Sequence, residues 1–130
     1  MSDLNSPKIG DITWADLTVK DADSIKNFYQ NVVGWHSEKV NMGGYDDFNM
    51  VTSEGHQSVA GICHARGVNA SLPAQWLIYV NVSDIEKSVE RCIELGGEII
   101  SELKGMGGYG RYCVIKDPAG AVVALFEPTS

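Results

Sequence analysis

ITWADLTVKDADSIKNFYQNVVGW, residues 12–35, reads as a strand that hands over to a helix. Ile12 to Val19 alternates as a strand does. After Lys20 and Asp21 the period changes, and Ile25, Phe28, Tyr29 and Val32 fall on one helical face. Asp21 or Asp23 caps that helix, because a carboxylate there accepts from the open N–H groups of the first turn. Gly34 stands where a left-handed stop belongs. The reading recurs in WLIYVNVSDIEKSVERCIELGG, residues 76–97: Leu77 to Val82 as strand, Asp84 as cap, Ile85, Val89, Cys92 and Ile93 facing inward, Gly96 and Gly97 as stop. An offset of 63 residues lays Asp21 on Asp84, Gly34 on Gly97, Val19 on Val82 and Leu17 on Val80. Repetition of a whole supersecondary unit at fixed spacing is an architectural signal.

Working outward, three extended stretches follow each helix. They are Trp35 to Val40, Asp47 to Thr52 and Ser58 to His64, then Glu98 to Leu103, Arg111 to Lys116 and Ala121 to Glu127. Turn chemistry separates them at Gly43-Gly44, Glu54-Gly55, the glycines from 105 to 110, and Asp117-Pro118-Ala119-Gly120. The expected fold is α+β: two tandem βαβββ modules forming curved mixed sheets around a shared cleft. Module one spans about 9–66, a linker 67–73, and module two about 74–130 of a single domain.

The 130 residues, 44% hydrophobic, suffice for one domain with its own core. Ten Lys and Arg against 17 Asp and Glu leave a net charge of -7, which opposes binding to nucleic-acid phosphates. No apolar run approaches the roughly 18 to 20 residues that span a bilayer, and the first residues lack a signal peptide's pattern, so a cytoplasmic protein is expected. Cys63, Cys92 and Cys113 are odd in number and widely spaced, which predicts buried, reduced thiols rather than a disulfide framework or a zinc site.

Strand alternation sorts the faces. Ala15, Leu17 and Val19 oppose Trp14, Asp16 and Thr18; Ile78, Val80 and Val82 oppose Leu77, Tyr79 and Asn81; Val123 and Leu125 oppose Val122, Ala124 and Phe126. The aliphatic sets suit packing under the helices. The faces carrying Trp14, Asp16, Tyr79 and Asn81 are the candidates for a partly polar, aromatic-lined cleft, with a closed aromatic core as the competing reading.

WADLTVKDADSIKNFYQNVVGW with its FY-x4-GW, YVNVSDIEKSVERCIELGG and DPAGAVVALFEP together resemble the vicinal-oxygen-chelate superfamily of glyoxalase I, extradiol dioxygenases and bleomycin-resistance proteins, in the branch described as related to lactoylglutathione lyase. The resemblance covers nearly the whole chain. It implies a glyoxalase-like fold, a tendency to form homodimers, and a divalent metal held by His, Glu, His and Glu from four strands. The matching positions here are Trp14, a site near Gly61, Leu77 and Ala124, so neither a metal nor another cofactor is expected. His56 and His64 are eight apart, roughly 26 Å along one strand at about 3.3 Å per residue, too far to share an ion. Cys63 and His64 point to opposite faces, which disfavours a nucleophile pair. His36, His56 and His64 are read as surface or structural residues.

Gly105, Gly107 and Gly110 spell GxGxxG, but a strand rather than a helix follows, so a dinucleotide site is rejected. The GMGGYG stretch is read instead as a hairpin at a cleft rim, with Met106 and Tyr109 as apolar contacts and Arg111 placed to meet an anionic or carbonyl-bearing ligand. The function expected is a metal-free cleft holding a small, partly aromatic or amphipathic molecule, with Trp14, Asp16, Phe48, Gly61, Leu77, Tyr79, Arg111, Tyr112, Ala124 and Phe126 as its contacts. The alternative is a lyase or isomerase using Asp16 as a general base, or one with a relocated metal site. A third is an accessory protein whose cleft its own side chains close.

Overall fold

The computed structural model describes residues 8–67, 70–105 and 108–129. Its elements run β1 (Ile12–Val19), α1 (Ala22–Val33), β2 (His36–Asn41), β3 (Asp46–Val51), β4 (Ser58–His64), β5 (Trp76–Asn81), α2 (Ile85–Glu94), β6 (Glu98–Gly105), β7 (Gly110–Lys116) and β8 (Val122–Pro128). The order is βαβββ twice, an α+β fold of the glyoxalase type. Of the described residues, those within 14–76 form one compact unit, and residues 8–13 join those from 77 onward in the other.

In the first unit the strands lie in the order β2-β3-β4-β1, with β1 parallel to β4 and the other pairs antiparallel. Asp21 caps α1 by accepting from the Ser24 N–H at 3.1 Å, and Gly34 ends it at φ 89°. Ala22, Ile25 and Tyr29 pack on Leu17, Val19, Phe48, Met50, Ala60 and Ile62. The Tyr29 ring meets Trp76 edge-on at 5.2 Å, and the Trp76 indole N–H donates to the Tyr29 hydroxyl. Phe28 and Val32, on the stripe expected to face inward, are 54% and 64% exposed. The strands cover the Ala22, Ile25 and Tyr29 side of the helix, and the edge of the stripe stays in water.

In the second unit the order is β5-β8-β7-β6, with β5 parallel to β8. Asp84 caps α2 by accepting from the Lys87 N–H, and the chain turns at Gly96 with φ 96°. Ile85 and Val89 pack on Val82, Leu103, Cys113, Ile115 and Leu125, while Ile93 is 59% exposed. Strand β6 carries two irregularities in its pairing with β7, between Ile99 and Ser101 and between Ser101 and Lys104. Each is a bulge that resets which side chains face the helix.

Of the expected linker, residues 68 and 69 lie outside the described residues, as do Met106 and Gly107 of the glycine-rich hairpin. Tyr109 is 79% exposed, and Gly110 leads directly into strand β7. Among the described residues no helix is long and apolar enough to cross a membrane.

Candidate functional site

All eight strands belong to one sheet rather than the two expected; the strands of each unit have a face turned away from that unit's helix, and register assigns the residues on it. In the first unit Asp16 pairs with Gly61, and Gly61 with Asn49; Thr18 pairs with Cys63. The Trp14 indole N–H donates to Asp16 Oδ1 at 2.5 Å. A Cβ at Gly61 would run into that same oxygen, so the missing side chain of Gly61 is the space the carboxylate occupies. Trp14, Asp16 and Gly61 therefore form one constellation on adjacent strands.

Cys63 stands on this face too. Burial pushes its thiol up beyond any useful range, and the nearby Asp16 and Asp47 carboxylates push the same way. Burial likewise raises Cys113, to about 11. Thiols held protonated are poor nucleophiles. His64, on the helix side, bridges elements: its Nδ1 lies 3.3 Å from Asp47 and its Nε2 3.5 Å from Asp23, and its backbone N–H donates to Asp47 at 2.8 Å. With 12% of its side chain exposed it ties the first turn of α1 to β3, a structural duty.

Two residues expected at a cleft lie elsewhere. Phe48, 2% exposed, sits in the core under α1 with Ile62, because its register partner Ile62 faces the helix. Arg111 shares the helix-side face of β7 with Cys113 and Ile115. Its guanidinium donates to Glu127 Oε1 from Nε at 3.1 Å and from a terminal nitrogen at 2.7 Å, and Glu86 lies 3.6 Å away. The other Glu127 oxygen accepts from the Ile85 N–H at the start of α2. The guanidinium and that N–H hold the Glu127 carboxyl below the usual carboxylate range. Arg111 is thus engaged in joining β7, β8 and α2.

The face of the second unit away from α2 consists of two rows that cross all four strands. Register runs Tyr79, Ala124, Val114, Ser101 in one row and Asn81, Phe126, Tyr112, Lys104 in the next. Leu77 lies on the same side of β5, two residues before Tyr79, and is 5% exposed. The Tyr79 and Tyr112 rings stand 6.1 Å apart. Gly110 brings β7 so close to β8 that a Cβ there would meet the Glu127 carbonyl and the Phe126 ring, which fixes where that ring stands. The expected contacts Leu77, Tyr79, Tyr112, Ala124 and Phe126 fall together on this floor of apolar and aromatic side chains. Polar groups border it at both ends. Thr13 donates to Asn81 Oδ1 at 3.3 Å. Asn81 Nδ2, Ser101 Oγ and Lys104 Nζ are buried with no hydrogen-bond partner among the described residues.

Ser101 and Lys104 escape a reading from sequence because strict alternation puts residues three apart on opposite faces. The bulge between them turns both toward Val114 and Tyr112, which are two apart on β7. The sequence of the strand does not single them out, since Glu98 and Glu102 are polar in it as well.

A metal does not fit the four positions the resemblance singles out. Trp14, Gly61, Leu77 and Ala124 offer no ligating side chain, and Asp16, the carboxylate beside Trp14 and Gly61, already accepts the Trp14 indole N–H. Among the described residues no group of three or more His, Cys, Asp or Glu is gathered closely enough to hold an ion.

Comparison with known proteins agrees with the fold. The chain is 29% identical over 119 residues to the "Putative glyoxylase CFP32" of Mycobacterium tuberculosis, covering 91% of this chain and 46% of that one. It is 27% identical over 125 residues to the "Anthracycline biosynthesis protein DnrV" of Streptomyces peucetius, covering 88% and 46%. The chain thus spans about half the length of these relatives. Among solved structures, methylmalonyl-CoA epimerase from Mycobacterium tuberculosis superposes with a TM-score of 0.55 over 98% of this chain and 93% of that one, at 17% identity, a likeness of fold alone. Residues 11–125 match the family described as Glyoxalase/Bleomycin resistance protein/Dioxygenase superfamily, and the chain belongs to it.

Proposed function

We propose that this protein binds a small, partly aromatic organic molecule without the help of a metal, on the face of the second unit formed by Leu77, Tyr79, Tyr112, Ala124 and Phe126. The observation that carries this reading is the register: it gathers three aromatic rings and three apolar side chains on one face and sets buried polar groups at its two ends. Binding sites for small molecules have this makeup, mostly apolar and aromatic with a few placed polar groups. The name of the Streptomyces peucetius relative, which ties it to anthracycline biosynthesis, is compatible with a ligand built of fused rings. In the first unit the Trp14–Asp16 pair is a fixed hydrogen-bonding anchor, and the raised thiol of Cys63 argues against covalent chemistry beside it.

A thermal-shift panel of aromatic metabolites, run in chelator, tests the reading. A compound at 100 times its dissociation constant stabilises the fold by about 2.7 kcal/mol. Aromatic compounds are expected to raise the melting temperature, and Tyr112→Ala is expected to reduce the shift. If no ring-bearing compound shifts the wild type, or if Tyr79→Ala and Tyr112→Ala leave every shift intact, the reading is wrong.

A further inference from the structure

Among the described residues, three polar atoms on this one face are buried and without a hydrogen-bond partner: the Asn81 amide nitrogen, the Ser101 hydroxyl and the Lys104 ammonium. Asn81 is 1% and Ser101 7% exposed. All three are hydrogen-bond donors, and the acceptor end of the Asn81 amide is already taken by Thr13. A buried ammonium without a counter-charge is among the least favourable arrangements in a protein, and each neutral donor left open adds its own desolvation penalty. The bulge between Ser101 and Lys104 is what turns both to the same side, against Val114 and Tyr112. The placement is therefore built into the backbone of β6.

Such a set of donors is matched by an acceptor, and beside an ammonium the best matched acceptor is an anion. Arg111 is engaged by Glu127 and Glu86 on the opposite face, and Lys116, on the same side of β7 as Tyr112 and Val114, stands at the far end of the strand opposite Glu98. Lys104, whose Nζ is buried beside Tyr112, is the charge placed to recognise a ligand. Lys104 and Asn81 end the same row, separated by three strand spacings of about 4.8 Å, or roughly 14 Å across the sheet. Between them lie Tyr112 and Phe126.

Resting on the reading that this face binds an aromatic molecule, we propose that its ligand is an aromatic acid: an anionic group held by Lys104 and Ser101, a ring system lying over Tyr112 and Phe126, and a carbonyl or ether oxygen reaching the Asn81 amide N–H. The length of the row suits two or three linked or fused rings.

The test is an NMR titration of the whole chain with 1-naphthoate, 1-naphthamide and acetate, repeated with Lys104→Met and, as a polar variant safe for folding, Lys104→Gln. Naphthoate is expected to bind at least about tenfold more tightly than naphthamide and to lose that advantage in both variants. If naphthoate and naphthamide bind alike to the wild type, or if naphthoate keeps its advantage in the Lys104 variants, the anion site is refuted while the aromatic face stands. If acetate alone perturbs Ser101 and Lys104 and neither ring compound binds, the anion site stands and the aromatic face fails. If none of the three perturbs the face, both are refuted.

Discussion

Gly61 has no side chain because Asp16 needs the room. The carboxylate oxygen that accepts the Trp14 indole N–H occupies the volume a Cβ at Gly61 would fill. Gly61→Ala is therefore expected to destabilise the protein by about 1–3 kcal/mol through overpacking. Asp16→Ala in the same chain is expected to relieve most of that loss, a coupling that urea denaturation of the double-mutant cycle measures. Glu127 carries a second residue-level prediction. Its carboxyl is held below the usual range by Arg111 and the Ile85 N–H, so the stability it contributes is present above the ordinary Glu value of about 4.3 and is lost as pH falls through its lowered pKa. The gap in melting temperature between wild type and Glu127→Gln is expected to be widest near neutrality and to close below that window. A gap unchanged from pH 7 to pH 3 refutes the pairing.

At the scale of elements, both helix starts were readable in the residues. Asp21 and Asp84 cap as expected, each accepting from the N–H three residues on at 3.1 Å. Each Asp→Ala is expected to cost about 0.5–2 kcal/mol of stability, seen as a lower urea midpoint at unchanged slope. The strands β1 and β4 begin and end where alternation and turn chemistry place them. What could not be read was the side of the sheet on which certain residues fall. Phe48 belongs to the core because Ile62 is its partner across β3 and β4, and pairing register is not written in a single strand. Arg111 faces α2 because Gly110 starts β7 where it does, and the partners Glu86 and Glu127 are 25 before and 16 after it in sequence. Ser101 and Lys104 share a face because of a bulge, whose extra residue leaves no compositional trace. The aromatic floor of Tyr79, Tyr112 and Phe126 was legible, since simple alternation holds in β5, β7 and β8; the polar border beside it was not.

For the molecule as a whole, the doubled βαβββ unit is a scaffold whose two copies have diverged on the faces away from their helices. The first carries a tryptophan, a carboxylate and a suppressed thiol; the second carries aromatic rings and unpaired donors. Metal-ligating residues are absent from the four matched positions in both copies. Membership of the superfamily thus accounts for the fold, and the proposed binding rests on the side chains of the second unit's face. The central claim is that recognition is organic and metal-independent. Isothermal titration of an aromatic acid into the chain, first in chelator and then with added zinc, nickel or iron(II), tests it most directly. The account predicts one site per chain and a dissociation constant that agrees within about twofold across all conditions; binding that disappears in chelator and returns with a stoichiometric metal would contradict it.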